Sequence, residues 1–257
     1  MLYLRFLSMH LRAQMQYKVS FALTMLGQAC ASAATFLGLY FTFQHFGGVG
    51  GFSFAEVLLC FATMLMAFSL AECFFRGLDR FPAMLDQAAF DRVLVRPRGA
   101  LLQVLCTQVD LSRFGRVLEA IAVFAYAIPA SGVAWNAARA FTLAGMVVGA
   151  ALLFAALFLV YAAICFFTTE GLEFFNIFTD GGREFGRYPF VIYGKHALRF
   201  FTYVVPLACV QYYPLCYVLG RTDQWLWALL PLVTQLFWLP AWGLWRLGIR
   251  RYRSTGS

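Results

Sequence analysis

Long apolar stretches fill most of this 257-residue chain, and polar positions interrupt them at regular intervals. The first stretch covers residues 19–46 and ends at the glycine turn Gly47-Gly48-Val49-Gly50-Gly51. A second covers 54–75 and stops at Arg76. After a long polar segment come 117–135 and 141–167, joined by a short link that carries Arg139. The last two are 198–219 and 225–249, separated by a turn with Arg221 and Asp223. These lengths meet the roughly 20 residues that a helix needs to cross hydrocarbon. The pattern predicts an all-α polytopic membrane protein with six transmembrane helices.

Basic residues follow the same rhythm. Of the 20 Lys and Arg residues, only Arg139 and Arg221 fall in gaps that face outward on this threading. The other 18 lie at the N-terminus, in two internal loops and at the C-terminus. That positive-inside pattern predicts cytoplasmic N- and C-termini. Residues 1–18 lack the small-residue cleavage site of a signal peptide. Arg5, Ser8, Arg12 and Gln16 fall on one helical stripe, with Phe6, Leu7, Leu11 and Met15 off it. An amphipathic interfacial helix over 1–18, ahead of a membrane domain over 19–257, is the expectation. Arg250-Arg251-Tyr252-Arg253 anchors the far end, and Trp225, Trp227, Trp242 and Trp245 mark the interfaces of the last span.

Composition reinforces the pattern. Hydrophobic residues make up 62% and charged residues 12%, against roughly 45–50% and 25% in soluble domains. One core could not hide so much apolar surface, so lipid covers much of it. The net charge of +8 sits at membrane boundaries rather than along one soluble face. It therefore points to anionic membrane lipids as partners and away from nucleic acid. Seven scattered cysteines without a CxxC pair are packing residues rather than a zinc or disulfide framework.

The motifs of catalysis and nucleotide binding are missing. Lys18 and Lys195, the two lysines, complete no GxxxxGK[ST] loop. HExxH and GxSxG are absent as well. His10, His45 and His196 stand far apart and suggest no metal site. Glu72 and Glu119 lie at the inner ends of spans, where Arg76 and Arg116 can pair with them in a structural role. Gly145 and Gly149 form a GxxxG spacing that admits a close helix neighbour. Without a ladder of buried acids, the energy for moving a solute would come from a partner on the basic inner face.

Two segments resist simple threading. Residues 76–116 form a 41-residue inner segment with seven arginines and Asp79, Asp86, Asp91 and Asp110. That length is unusual for a structureless connection unless it is functional. Residues 168–198 carry Glu170, Glu173, Asp180, Arg183, Glu184, Arg187 and Lys195, too many charges to face lipid. Hydropathy alone makes them a second inner loop.

The first of these segments contains Asp91-Arg92-Val93-Leu94-Val95-Arg96-Pro97-Arg98, then Leu101-Leu102-Gln103-Val104-Leu105. Later come Gly186-Arg187-Tyr188-Pro189, Ile192-Tyr193, Leu198-Arg199, Val205-Pro206-Leu207-Ala208, Tyr212-Tyr213-Pro214 and Leu219-Gly220-Arg221. With the Arg-Arg-Tyr ending, these resemble permease subunits of ABC-2 type bacterial exporters, in the subfamily with an LVRP-type loop. The resemblance implies a permease of the bacterial cytoplasmic (inner) membrane. It would pair with a second permease copy or a paralogous permease, and with separate ABC ATPase subunits. ATP and Mg would sit on the ATPase, and this chain would bind no cofactor or metal. The segment 76–116 would be the coupling loop, with Asp91, Arg92, Leu94, Val95, Arg96 and Pro97 docking on the ATPase.

The resemblance also implies a re-entrant hairpin on the outer side before the last helix. Within a polar fifth segment over 168–220, Tyr188, Pro189, Tyr193, Arg199, Pro206, Tyr213 and Pro214 would form its gate region. The fifth span would then begin near Thr168, and Arg183, Arg187, Lys195 and Arg199 would move outward. Fourteen basic residues would remain inside against six outside, so the inside bias survives.

These readings converge on the permease of an ATP-driven exporter, forming the pathway as a dimer and hydrolysing nothing itself. The alternative is a non-transporting membrane scaffold or assembly protein, which would use the same spans and basic loop without an ATPase. Lipid, drug, glycolipid and peptide cargos all suit a chain with 29 phenylalanines.

Overall fold

The computed structural model describes residues 2–46, 48, 50–168 and 173–252. Gly47 and Val49 of the glycine turn, Glu170, and Arg253 of the basic ending lie outside the described residues. So do the side chains of Arg5, Leu7 and Glu173. The protein is 79% helix, with no strand among the described residues.

Helix α1 (Leu2–Met15) precedes α2 (Lys18–Phe46). The Thr24, Thr35 and Thr42 hydroxyls of α2 donate to carbonyls four residues earlier, which hides these donors from an apolar surrounding. Gly50 and Gly51, at φ of 61° and 78°, make a turn that L side chains resist. Helix α3 (Phe54–Asp79) then starts on a capping box. Ser53 Oγ accepts the Glu56 N–H at 3.3 Å, and Glu56 Oε2 accepts the Ser53 N–H at 2.7 Å.

The 76–116 segment is folded: it contributes α4 (Phe81–Asp86), α5 (Phe90–Leu94) and α6 (Ala100–Leu105). Helix α7 (Phe114–Ala130) follows and stops short of residue 135. Pro129 sits in its last turn, and Trp135 Nε1 folds back to donate to the Ile128 carbonyl at 3.1 Å, which satisfies a free helix-end acceptor. Helix α8 (Ala137–Ile164) begins where the Asn136 side chain accepts the Arg139 N–H at 2.8 Å.

Between residues 173 and 218 no long helix forms. Helices α9 (Asp180–Phe185), α10 (Gly194–Tyr203), α11 (Leu207–Val210) and α12 (Tyr212–Val218) alternate with turns and 3-10 segments. The continuous span expected over 198–219 is therefore corrected to a broken chain. Pro206 lies at the break between α10 and α11, and Pro214 in the first turn of α12. A proline supplies no N–H and cannot continue the preceding helix. The last span is α13 (Leu226–Val233) and α14 (Trp238–Arg251), joined by the 3-10 segment Thr234–Phe237. Here Thr234 Oγ1 and Gln235 Nε2 each donate to the Pro231 carbonyl at 2.8 Å.

Among the described residues, four segments are long and apolar enough to cross a membrane: Lys18–His45, Phe54–Asp86, Ala137–Ile164 and Leu226–Arg251. Helix α7 adds 17 residues, or about 26 Å at 1.5 Å per residue. The packing is a row, with α3 between α7 and α8, α2 against α7, and α14 against α8. Most of α3 is buried, and Phe68 meets Phe154 and Phe158 of α8 edge-on, at 5.0 and 6.1 Å. Val19, Leu23 and Leu26 of α2 stay exposed, as do Leu226 and Leu232 of α13 and Leu239 of α14. Such outward apolar side chains fit lipid as the surrounding solvent.

A Cβ on Gly149 would meet Cβ and O of Pro231 at 2.8 and 3.0 Å, whereas Gly145 faces open space. One glycine of the GxxxG pair thus carries the close approach. Gly149→Val is expected to push α13 away from α8 and lower stability by about 1–3 kcal/mol. Gly145→Ala should change it little; thermal unfolding in detergent compares the two.

Candidate functional site

Phe90, fully buried at the start of α5, anchors the inner segment. Its ring lies 5.1 Å from Phe81, 5.4 Å from Phe166, 5.2 Å from Tyr252 and 6.4 Å from Trp245. One side chain thereby joins α4, α5, the end of α8 and the end of α14. The Tyr252 hydroxyl donates to Asp91 Oδ1 at 3.0 Å; burial and this acceptor both raise the tyrosine pKa. Gln103 Nε2 donates to the carbonyls of Val93 and Arg98 at 3.0 and 2.9 Å, closing the tip. Beyond these anchors Arg92, Leu94, Val95, Arg96 and Pro97 are exposed, Val95 at 83%. An apolar point ringed by arginines projects from a rigid base.

Helix α1 braces the other end of the same segment. His10 Nε2 donates to the Cys106 carbonyl at 2.9 Å and Gln14 Nε2 to the Val109 carbonyl at 2.6 Å. Gln14 Oε1 accepts the Leu111 N–H at 3.2 Å. Ser8, Arg12 and Gln16 of the polar stripe remain exposed. His10 and Gln14 lie off that stripe, so the moment argument could not find them.

Glu72 holds the centre of the charge network, with 5% of its side chain exposed. It pairs with Arg76 at 2.9 Å, Arg113 at 3.3 Å and Arg116 at 2.9 Å. Arg113 also bonds Asp110 at 3.1 Å and Gln28 of α2 at 2.8 Å. Burial alone would raise the Asp110 carboxyl, but Ser112 hydrogen bonds and the Arg113 charge hold it below its usual range. Glu119 accepts the Ser32 hydroxyl from α2. The pairing expected for Glu72 is present and larger than anticipated, because Arg113 joins it.

The 173–218 segment follows a traceable path along α3. Arg183 stacks on Phe68 at 4.8 Å. Gly186 lies against Met64, and Gly50 against Ile192. The chain thus runs from the middle of α3 to its Gly50 end. Leu207 packs back at Gly182 beside Phe154. Buried Gln211 then donates to the carbonyls of Gly186 and Tyr188, both at 3.2 Å. Finally Arg221 returns to the Gly50 end, bonding the Gly51 carbonyl at 2.9 Å and Glu56 at 2.8 Å, over the Phe52 ring. Tyr188, Pro189, Tyr193, Pro206, Tyr213 and Pro214 are half-buried or buried in this body, and Arg199 is exposed. Tyr213 OH lies 3.1 Å from Thr202 Oγ1, and its ring 5.0 Å from Trp227.

Residues 29–256 match the family described as ABC-2 family transporter protein. The chain belongs to that family. No curated protein and no solved structure matches it. The family consists of membrane components of transporters without an ATPase domain of their own, so the chain is a membrane permease.

In this permease the two groups of predicted residues do not meet. The arginine-ringed tip belongs to the Asp79 end of α3, and the turn at Tyr188–Tyr193 to the Gly50 end. Sequence reasoning missed Phe90, Gln211 and Arg113 as organisers. A phenylalanine among 29 carries no positional signal, and Gln211 works through backbone carbonyls.

Glu72→Gln should leave Arg116 without its carboxylate partner, leave Arg76 and Arg113 with only Asp79 and Asp110, and lower stability by about 3–5 kcal/mol. Glu72→Asp should recover part of that loss; thermal unfolding of both variants in detergent gives the comparison.

Proposed function

We propose that this permease is the membrane subunit of an ATP-driven exporter, working as a dimer with separate ABC ATPase subunits. The observation that carries the reading is the exposed Leu94–Pro97 tip, rigidly based on Phe90. Leu94, Val95 and Pro97 provide apolar surface for a groove on the ATPase, and Arg92, Arg96 and Arg98 complement acidic residues at its rim. ATP and Mg stay on that partner. When ATP draws the two ATPases together, each tip is carried with them. Phe90 passes the displacement to the ends of α8 and α14, and the space between two permease copies opens outward. The Leu94-Val95-Arg96-Pro97 sequence supports reading the chain as a member of the LVRP-loop subfamily.

Six crossings complete the topology: α2, α3, α7, α8, a broken crossing from residue 173 to Tyr193, and α13–α14. The Asp79 end of α3 is cytoplasmic by the positive-inside rule, in a bacterial inner membrane. Residues 194–220 then form a re-entrant hairpin on the outer side. Ile192 against Gly50 and Arg221 on Gly51 support this, since both ends of the hairpin lie at the same end of α3. Leu207 near Gly182 marks its deepest point. Irregular backbone at that depth is tolerated because protein surrounds it.

Two experiments test the reading. Val95→Asp with Arg96→Glu should reduce co-purification of the ATPase in mild detergent by about tenfold or more, with unchanged thermal stability. Undiminished retention would remove the coupling role from the tip, and absence of any retained ATPase would favour a scaffold. Separately, a membrane-impermeant amine reagent applied to intact spheroplasts should label Lys195 and spare Lys18. If Lys195 reacts only after lysis, the hairpin is not on the outer side.

A further inference from the structure

A cavity of about 120 Å³ lies between α2, α3, the first turn of α7 and the α9 region. It holds roughly ten times the space that one ordered water needs. Three arginines line it, Arg116, Arg183 and Arg187, and none of its described lining residues is acidic. Ser32 and Thr35 of α2 add hydroxyls, and Phe61 and Met64 of α3 form an apolar wall. These residues lie near the middle of α2 and α3, so the cavity sits at about half the depth of the bundle.

The arginines here share their carboxylates. Arg116 shares Glu72 with Arg76 and Arg113. Arg183 and Arg187 share one carboxylate, Glu184, and Asp180 is a further 3.7 Å from Arg183. Arg183 Nε is buried with no hydrogen-bond partner among the described residues. Glu119 stands behind Ser32 and takes its hydroxyl proton donor. Guanidinium groups at membrane depth are costly and mark functional sites. Their planar fork matches a phosphate or carboxylate through paired, charge-assisted hydrogen bonds.

We propose that this cavity binds the phosphate headgroup of an anionic amphiphile, whose apolar body lies along Phe61 and Met64 and continues into the bilayer. This rests on the exporter reading and assigns its cargo to anionic lipid-like molecules. Arg183 and Arg187 grip the phosphate, and Arg116 completes the positive field. The apolar wall selects an amphiphile over a free anion.

The test titrates dioctanoyl phosphatidate and dioctanoyl phosphatidylcholine against the chain in neutral detergent, read by native mass spectrometry. Phosphatidate should bind about tenfold or more tightly than phosphatidylcholine, given charge-assisted contacts to its phosphate. Arg183→Gln with Arg187→Gln should abolish the preference. Ala31→Phe fills the cavity from the exposed side of α2 without removing charge, and should abolish binding as well. Equal affinity for the two lipids, or a preference that survives in both variants, would overturn the proposal. So would inorganic phosphate that displaces phosphatidate at equal concentration, because the ligand would then be the free anion. No ATPase is present in this measurement, so its failure is separate from failure of the tip-docking experiment.

Discussion

One buried carboxylate fixes the architecture. Glu72 lies on the most enclosed helix, α3, and meets arginines from α3 itself, from the turn before α7, and from the first turn of α7. An unpaired carboxylate in that position would be expensive, and so would three unpaired guanidinium groups. Each makes the other tolerable only at one relative placement of α3 and α7. Through Arg113 the network reaches Asp110, which closes the inner segment, and Gln28, which holds α2. The ion pairs therefore define positions more than they add net stability.

From that fixed point the molecule divides by the two ends of α3. At the Asp79 end, aromatic packing does the organising: Phe81, Phe90, Phe166, Trp245 and Tyr252 interlock within about one ring diameter of each other. These packed rings fill the space beneath the Leu94–Pro97 tip and fix where it emerges. At the Gly50 end, hydrogen bonds to backbone through Gln211 and Arg221 act together with a second set of packed rings, Phe185, Phe190, Tyr193 and Phe201.

Much of this was legible from hydropathy because lipid enforces a simple rule: apolar runs of sufficient length become helices. The long helices α2, α3 and α8 and the α13–α14 pair appear where apolar periodicity placed them, with shifts of a few residues at caps such as Asn136. The break over 173–218 was written in Pro206 and Pro214, but hydropathy averages over prolines and reported a span. The candidate tip was visible as sequence because Leu94-Val95-Arg96-Pro97 is contiguous. Its base was not, since Phe90, Phe166, Trp245 and Tyr252 come from four places in the chain. Arg113 joining Glu72 was hidden for the same reason.

Charge counting is a weak guide at residues 183–199 for a physical cause. The positive-inside rule concerns arginines that end in water at a membrane face. Arg183 instead finds partners inside the bundle, Glu184 and the face of Phe68. A guanidinium with such partners carries little information about sidedness. Its partners cannot be recognised by counting, because Phe68 is 115 residues away in sequence. The same internal placement brings Arg183 and Arg187 together with Arg116 around one cavity. What looked like a loop's excess charge is thus the charge of an interior surface.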